Sequence, residues 1–391
     1  MIQVRVKPGV EDSIRAFFPW VYKRDIMGYS KKPQKGDLVV VRDYAGRFLG
    51  YGYVNPDSAI SVRILSFEKE EPIDKELIRR RIQKAIEYRK RLNIQSDAYR
   101  LVHSEGDLLP GLVVDVYGDY VVVELSTYGM SKLKHWVFEA LVDLLKPKGI
   151  YQKIGEYASS SEGMEDEEGV VHGSVPEEVV ITEGDLKYKV QISAGQKTGF
   201  FLDQRRERRF IRELVREKSY CLDLFCYTGG FALNMKRAGA EKVVAVDVSD
   251  RALQTAKLNA ELNNLSGIEW VEANAFDYLR KLQSEGRKFD LVVMDPPPFA
   301  KSSSSIQNAM RGYKELLIRA LHIVKPQGYI AFYSCSFHIT EEHLLKALFE
   351  AVKDVRKRVR IIGKSFQDLD HPWLLQIPNT LYLKGIYAEV L

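Results

Sequence analysis

The sequence predicts an α/β fold, and the prediction comes from the stretch between Ser219 and Ile339. Short, almost continuous apolar runs occur there, separated by segments with helical periodicity, which is typical of buried parallel strands. Each run ends in polar residues, and ligands of such sheets bind at the carboxyl ends of the strands. We therefore expect these endings to line one crevice, the functional site. The four runs with their endings are Ser219–Gly230, Val243–Asp247, Phe289–Phe299 and Gly328–Ser336.

Length and composition indicate a globular protein of more than one domain. The chain has 391 residues, of which 45% are hydrophobic and 28% charged, with a net charge of +5. Three cysteines do not make a disulfide framework and suit a reducing compartment. The N-terminus lacks the apolar core of a signal peptide, and no apolar run reaches the roughly 18–20 residues of a membrane span. These features favour a cytosolic location and no membrane partner.

Residues 1–66 are predicted to form a small β-rich domain, because strand-like runs recur between turn signals. The segment carries 11 Lys or Arg against 6 Asp or Glu, which suits RNA binding and equally a structural role. Residues 73–93 follow as one amphipathic helix with seven basic residues between Arg79 and Arg91. Its basic face is predicted either to meet phosphates or to be solvated as a linker.

Residues 98–192 show a mixed α+β pattern that includes a helix from Lys132 to Leu145. The Ser-rich and then acidic run from Ser159 to Glu168 is interpreted as an exposed loop. The junction 196–205 places Lys, Thr, Gly, Asp, Gln and Arg close together, as in loops that touch a ligand. The residues predicted to contact substrate here are Lys197, Gln204 and Arg205.

The cofactor prediction rests on the ends of three successive strands. A dinucleotide fold would place G-x-G-x-x-G after its first strand, but the loop here has glycines only at its end. Asp247 ends the second strand, where a carboxylate can accept hydrogen bonds from ribose hydroxyls, and Asn274 follows the third, where its amide can meet an adenine edge. A nucleoside without pyrophosphate fits S-adenosylmethionine better than NAD; the alternative is ordinary turn glycines and a strand-end Asp. The predicted cofactor loop comprises Phe225, Cys226, Tyr227, Thr228 and Gly229.

The sequence Asp-Pro-Pro-Pro-Phe follows another buried strand. Prolines at this point end the strand ladder and stiffen the loop. A carboxyl group held by a rigid loop, with a ring nearby for stacking, makes a slot for a planar base, although a rigid loop without chemistry is the alternative. The predicted residues are Asp295, which also borders the cofactor, and Pro296, Pro297 and Phe299.

The three cysteines are predicted to differ in role. Cys335 lies between two serines at a strand end and is the candidate nucleophile. Cys221 lies within a strand and is interpreted as inert, whereas Cys226 serves for packing or backbone contact in the cofactor loop. The histidines show no metal-ligand spacing, so no metal site is predicted. His338, close to the expected crevice, is either a proton shuttle or a structural residue.

These motifs resemble those of class I S-adenosylmethionine-dependent methyltransferases, through Leu222–Gly229, Asp295–Phe299 and Ser334–Ser336. More narrowly, the chain resembles the ribosomal large-subunit RNA methyltransferase I family, which makes 5-methylcytosine. The resemblance covers nearly the whole length. The further strings that carry it are Phe18–Tyr22, Gly52–Pro56, Glu105–Asp115 and Gly195–Arg205.

The resemblance implies a PUA-like RNA-binding domain at 1–68, a central α+β module with a basic linker helix at 69–193, and a Rossmann-like, seven-stranded methyltransferase domain at 194–391. It implies ribosomal RNA as partner, and a homodimer is a further expectation. The chain departs from the general pattern at three positions. Phe225 and Tyr227 stand where the first motif has two of its three alternating glycines, and Asn274 stands where the family usually has Asp.

The mechanism implied by the resemblance is covalent: the Cys335 thiolate attacks cytosine C6, and C5 then takes the methyl group. Asp295 would bind the base and favour protonation at N3. His338 and a water molecule are the candidates for removing the C5 proton. One alternative is methylation of a base nitrogen through the Asp295–Phe299 loop. The other is a non-catalytic RNA-binding protein with a degenerate methyltransferase fold.

Overall fold

The computed structural model describes residues 1–155, 158–164, 167–300 and 302–391, and the chain forms two compact units. The first comprises Met1–Ile181, Val190–Leu202 and Leu369–Pro378, and the second Thr182–Lys189, Asp203–Asp368 and Asn379–Leu391. Each unit has its own apolar cores. The three predicted domains, with boundaries near 68 and 193, stay a prediction. No helix in the described ranges combines the length and apolar character needed to cross a bilayer.

The first unit begins with a six-stranded sheet, which confirms the β-rich fold predicted for residues 1–66. Apolar side chains that alternate along the strands, such as Val4, Val39 and Val62, fill its core. The strands are β1 (Ile2–Val6), β2 (Trp20–Tyr22), β3 (Ile26–Tyr29), β4 (Leu38–Arg42), β5 (Phe48–Val54) and β6 (Ile60–Ser66), with helix α1 at Val10–Arg15. Their order is β2-β6-β5-β4-β1-β3, and all neighbours are antiparallel except the parallel pair β1 and β4.

A second, five-stranded sheet packs with three helices in the same unit. The helices are α2 (Lys75–Arg91), α3 (Tyr128–Lys132) and α4 (Lys134–Leu145). The strands are β7 (Ala98–His103), β8 (Leu112–Tyr117), β9 (Tyr120–Leu125), β10 (Gly149–Ile154) and β11 (Gly169–Gly173), in the order β11-β10-β9-β8-β7. A hairpin follows, β12 (Glu178–Glu183) and β13 (Leu186–Gln191), whose tip belongs to the second unit. Helix α2 matches the predicted helix, and the Asp74 carboxylate caps it by accepting from the Leu77 N–H at 2.8 Å.

The basic face predicted for α2 is partly used inside the protein. Arg89 is buried, and its guanidinium donates to the Asp107 carboxylate at 2.8 Å and to the Asp370 carbonyl at 2.7 Å. Arg89 is therefore unavailable to phosphates. The basic residues of α2 that remain exposed are Arg80, Lys84, Lys90 and Arg91.

The run predicted as an exposed loop, Ser159–Glu168, also differs in part from that prediction. Ala158–Glu162 forms a helical turn, and Glu162 is buried. Its carboxylate accepts hydrogen bonds from Asn55 at 2.8 Å and Ser58 at 2.9 Å and pairs with Arg63 at 2.9 Å. Partners about a hundred residues away in the sequence thus bury an acidic side chain that its neighbours would leave in solvent.

The second unit is a seven-stranded α/β sheet, which confirms the predicted fold class. Its strands are β14 (Tyr220–Leu224), β15 (Lys242–Asp247), β16 (Ile268–Glu272), β17 (Phe289–Met294), β18 (Val324–Ser334), β19 (Val359–Phe366) and β20 (Lys384–Val390). The order is β16-β15-β14-β17-β18-β20-β19, and only β20 runs antiparallel to its neighbours. The helices are α5 (Arg205–Leu214), α6 (Gly230–Arg237), α7 (Asp250–Leu262), α8 (Ala275–Ser284), α9 (Ile306–Ile323) and α10 (Glu341–Val355).

Helices cover both faces of this sheet. Side chains such as Leu224 and Met294 join one core with α8, α9 and α10, while Cys221 and Val293 join the other with α5, α6 and α7. The chain leaves β14 toward β15 on one side, and β17 pairs with β14 on the other, which makes their carboxyl ends a topological switch point. The fold therefore brings the polar endings of β14, β15 and β17 to one edge, as the sequence predicts.

Candidate active site

The loop after β14 keeps an unusual backbone without the usual glycines. Phe225, Tyr227 and Gly229 all have left-handed φ angles, of 65°, 47° and 84°. This conformation costs a residue with a side chain about 1–2 kcal/mol. Backbone hydrogen bonds hold the loop in place, from the Cys226 N–H to the Val246 carbonyl at 3.0 Å and from the Gly229 N–H to the Cys226 carbonyl at 2.8 Å. The alternating pattern of the general motif thus persists at the two positions where its glycines are absent.

Gly229 is needed for space as well as for its backbone angle. A Cβ atom there would lie 2.7 Å from Leu233 Cδ1 and 3.0 Å from Trp270 Cη2. The residue also stands directly before the first turn of α6, whose N–H groups point toward the loop. The loop can therefore approach a ligand closely only with glycine at this position.

Asp247 lies against this loop at the end of β15. One carboxylate oxygen accepts from the Tyr227 N–H at 2.9 Å, and the other accepts from the Ser249 N–H at 2.9 Å. These bonds fix the carboxylate beside the loop, and each oxygen has a further lone pair for a ribose hydroxyl. The structure thus brings two of the three predicted cofactor elements together.

Asn274, the third element, caps helix α8. Its side-chain oxygen accepts from the Phe276 N–H at 2.9 Å and from the Asp277 N–H at 3.4 Å. The side chain is exposed, and the cap leaves its amide N–H₂ as the group that can meet an adenine edge. The adenine contact stays a prediction.

Asp223 is a further candidate for the site that the sequence interpretation did not name. It is fully buried in β14, and one carboxylate oxygen accepts from the Ala232 N–H at 2.8 Å. Burial, reinforced by the charges of Asp295 and Asp247, raises the pKa of this carboxyl well above its usual value. The available signal was an acidic residue inside an otherwise apolar strand, which is costly unless a ligand or partner uses it.

Asp295 meets Gln204 at the end of β17. The Gln204 amide, itself buried, donates to the Asp295 carboxylate at 3.0 Å. Burial and then the negative charge of Asp203 raise the pKa of Asp295 to about 7, against the opposing effects of the Gln204 hydrogen bond and Arg208. The carboxyl is therefore about half protonated at neutral pH and can act as a proton donor. Asp203 is a second residue the prediction missed; its carboxylate accepts from the Tyr382 hydroxyl at 2.6 Å.

The other residues predicted to contact substrate lie in different settings. Arg205 is buried in the second unit, where its guanidinium pairs with Asp368 at 2.8 Å. Lys197 is exposed in the first unit, and its carbonyl accepts from the buried Lys153 ammonium at 2.8 Å. Their contacts with substrate stay predictions.

In the loop after Asp295, Pro296 is buried and Pro297 is exposed. Phe299 packs against Tyr313, with ring centroids 4.9 Å apart and planes inclined by 26°. One side of the Phe299 ring therefore belongs to the packing of the unit, and its stacking on a base stays a prediction.

The three cysteines have different surroundings. Burial raises the pKa of Cys221 to about 12 and that of Cys226 well above its usual value, so both remain neutral thiols. Cys335 is partly exposed, directly after β18. The serines on either side of it bind the Tyr313 hydroxyl, Ser334 at 2.9 Å and Ser336 at 3.2 Å. These bonds fix the backbone on both sides of a thiol that a ligand can reach.

His338 is half-buried three residues further on, with its ring against Phe337. Its part in proton transfer stays a prediction. In the described part of the chain, no three side chains of the metal-ligating types lie close enough together to hold a metal ion.

The residues present fit a nucleoside that also carries an amino acid. The buried polar atoms of the second unit without a hydrogen-bond partner among the described residues include four oxygens: Asp203 Oδ1, Gln204 Oε1, Asp223 Oδ1 and Thr228 Oγ1. Leaving each one unpaired costs about 1–3 kcal/mol. Asp203 Oδ1 and Gln204 Oε1 accept hydrogen bonds, and Asp223 Oδ1 does so when its carboxyl is ionised, so these oxygens suit a ligand with ammonium and hydroxyl donors. S-adenosylmethionine has both.

The strand order of the seven-stranded sheet, together with a loop after β14 that lacks the pyrophosphate-binding glycine motif, defines a class I S-adenosylmethionine-dependent methyltransferase. Residues 4–67 match the model of a PUA-like domain, and residues 167–355 match that of an S-adenosylmethionine-dependent methyltransferase. A methyltransferase from Streptococcus mutans has a solved structure that shares the fold, with a TM-score of 0.86 at 22% identity over all of both chains. Another methyltransferase, solved with SAH bound, has a TM-score of 0.88 at 23% identity, again over all of both chains.

Curated relatives resemble the chain over its whole length. The ribosomal RNA large subunit methyltransferase I of Shewanella denitrificans is 38% identical over 100% of this chain and 99% of its own. The protein of the same name from Aliivibrio fischeri is 37% identical over the same shares of the two chains. The chain therefore belongs to the ribosomal RNA large subunit methyltransferase I family, and its cofactor is S-adenosylmethionine.

Proposed function

We propose that this methyltransferase forms 5-methylcytosine in large-subunit ribosomal RNA through a covalent adduct to Cys335. The relatives' name supports the RNA substrate. The observation that carries the cytosine chemistry is the placement of a partly exposed thiol and a proton-donating carboxyl at the ends of adjacent parallel strands. Cys335 follows β18 and Asp295 follows β17, and these strands pair in register, with Met294 opposite Phe332.

The thiol is needed to make cytosine C5 reactive. C5 of cytosine is a poor nucleophile while the ring is aromatic. When the Cys335 thiolate bonds to C6, the C5–C6 double bond is lost from the aromatic system and its electrons make C5 nucleophilic. Transfer of the C5 proton to a base, for which His338 and a water molecule are the candidates, and departure of the thiolate from C6 later restore the ring.

Asp295 assists the attack as an acid. The negative charge that develops on the ring as the S–C6 bond forms is relieved by a proton at N3. With a pKa raised to about 7, Asp295 holds that proton in a large part of the molecules at neutral pH. Gln204 orients the carboxyl through its 3.0 Å hydrogen bond. The same proton returns to Asp295 when the thiolate leaves.

S-adenosylmethionine supplies an electrophilic methyl group on its sulfonium, which the electron-rich C5 accepts. The residues that would hold the cofactor are the 225–229 loop, Asp223 and Asp247, and the fixed Asp247 carboxylate would take the ribose hydroxyls. Because Asp223 is buried with one unpartnered oxygen, it would accept from a cationic donor of the ligand.

The PUA-like domain and the exposed basic residues of α2 would bind the RNA. Deletion of residues 1–66 should weaken RNA binding and leave binding of S-adenosylhomocysteine intact. The affinity for RNA should fall steeply with salt, because phosphate contacts release counterions. An affinity that does not depend on salt would contradict this part of the proposal. Association into a homodimer stays a prediction.

Trapping on RNA tests the reaction. With 5-fluorocytosine in the RNA, the C5 substituent cannot leave as a proton, so the wild-type enzyme should become linked to RNA through the peptide that contains Cys335. Cys335→Ala should abolish methyl transfer and trapping but keep S-adenosylhomocysteine affinity, and Cys221→Ala is the matched control that should retain both activities. Near-normal turnover by Cys335→Ala would overturn the covalent mechanism and favour methylation of a base nitrogen through the Asp295–Phe299 loop.

A further inference from the structure

A buried lysine lies next to the proposed nucleophile. Lys384 is the first residue of β20, and its backbone pairs with Ser334, the residue before Cys335. Its ammonium donates to the carbonyl of Ser336, the residue after Cys335, at 2.9 Å. Lys384 is only 7% exposed. A single lysine therefore contacts the chain on both sides of the thiol.

The ammonium of Lys384 has no carboxylate partner that would account for its burial. Its hydrogen bond is to a neutral carbonyl, and within the described ranges it forms no ion pair with Asp or Glu. Burial lowers the pKa of Lys384 to about 8, and the negative charge of the Cys335 thiolate opposes that shift. A buried cation is costly unless an anion is near, and Cys335 is the titratable group whose negative charge would favour the ammonium of Lys384.

We propose that Lys384 is a positioning residue that stabilises the thiolate of Cys335 and so prepares it for attack. Thiolates are favoured where a lysine or arginine lies close to the sulfur. The role rests on the proposed covalent reaction.

Among the described residues, the other titratable groups around Cys335 are neutral, acidic or, like Arg208, already paired with a carboxylate. The Tyr313 hydroxyl is bound to both flanking serines, and burial raises its pKa, so it stays neutral. Asp295, with its pKa raised to about 7, carries either no charge or a negative one. The remaining titratable side chains described near this strand end are His338, Tyr333, Tyr382 and Tyr387, the carboxylates of Asp203 and Glu207, which accept from Tyr382 and Tyr387, and Arg208, which donates to Glu183 at 2.7 Å. Among the described residues, the ammonium of Lys384 is thus the cation that bonds to the backbone next to the thiol.

Alkylation of the thiol measures the proposed effect directly. The full-length enzyme, its Lys384→Met variant and its Lys384→Arg variant are treated with iodoacetamide between pH 5 and 10, and modification of the Cys335 peptide is followed by mass spectrometry. Lys384→Met should raise the pH of half-maximal alkylation by about one unit or more, because the stabilising charge is lost. Alkylation at pH 7 should then be about tenfold slower. Lys384→Arg, which keeps the charge, should lie close to wild type.

Binding of S-adenosylhomocysteine shows that the variants are folded, because the predicted cofactor residues do not include Lys384. An unchanged alkylation midpoint in a folded Lys384→Met variant would overturn the proposal. If Lys384→Met does not fold, Lys384→Gln is judged against Lys384→Arg by the same criterion.

The alkylation profile needs neither RNA nor methyl transfer, so it separates two failures. If Cys335→Ala remains active, the proposed covalent mechanism is wrong. The alkylation profile of the wild-type and Lys384 variants still shows whether Lys384 lowers the pH at which the Cys335 thiol reacts. Under the covalent function, Lys384→Met should lower kcat at pH 7 about tenfold with little change in KM for RNA, and the ratio of wild-type to variant kcat should shrink as the pH rises.

Discussion

Replacing Gly229 by alanine separates the two reasons for glycine in the cofactor loop. The left-handed φ of 84° should cost alanine about 1–2 kcal/mol. The new Cβ would also lie 2.7 Å from Leu233, 3.0 Å from Trp270 and 3.2 Å from the Ala256 side chain. Relieving that crowding should cost about 1–3 kcal/mol, which gives a total of about 2–5 kcal/mol.

Gly239 provides the matched control just beyond the other end of α6. Its φ is 99°, but a Cβ there would meet no atom within 4 Å. Gly239→Ala should therefore lose only the backbone part, about 1–2 kcal/mol, in urea unfolding. Calorimetry should show S-adenosylhomocysteine binding unchanged in Gly239→Ala and weakened at least tenfold in Gly229→Ala. Equal stabilities and equal affinities for the two variants would refute the crowding argument.

The remaining predictions concern three charged side chains. Asp247→Ala should weaken S-adenosylhomocysteine binding about tenfold or more in calorimetry, since a charge-assisted contact contributes about 1.5–3 kcal/mol. The control Asp250→Ala, at an exposed residue, should leave the affinity unchanged. Equal effects of the two substitutions would contradict the assignment of Asp247 to the ribose. Because the acid form of Asp295 is lost as pH rises through about 7, kcat should decline over the same pH range. Asp295→Asn should remove this pH dependence and lower kcat about 100-fold or more. Arg89→Met should destabilise the protein by about 3–5 kcal/mol, because the Asp107 carboxylate loses its ion partner. Lys90→Met, at the exposed neighbouring residue, should change stability little in urea unfolding.

The fold was accessible from the sequence because its main signals are local. Nearly continuous buried apolar runs, such as those ending at Leu224 and Met294, identify central strands, and the polar residues that follow them identify the edge where ligands bind. Asp247 and Asp295 were found in this way, because a strand end fixes where its next residue lies.

The residues that escaped prediction depend on contacts distant in sequence. Arg89 looked like one of many surface cations, but it is bound to the Asp370 carbonyl, 281 residues away. Lys384 lies 49 residues beyond Cys335, and only the pairing of β18 with β20 brings the two together. Asp223 was not named for a different reason, because Leu222 and Leu224 flank it and the cofactor contacts were predicted in the loop after this strand.

The left-handed Phe225 and Tyr227 have a consequence for how such loops are recognised and engineered. Glycine at either position would remove strain from the folded loop, but it would also give the unfolded chain more freedom, worth about 0.4–1 kcal/mol. The two effects oppose each other, so either residue type is tolerated thermodynamically. What dictates the loop's shape is the set of acceptors around it, the Val246 carbonyl and the Asp247 carboxylate, which bind successive N–H groups. A search for glycines alone would pass over this site, whereas one for the strand-end acceptors would find it.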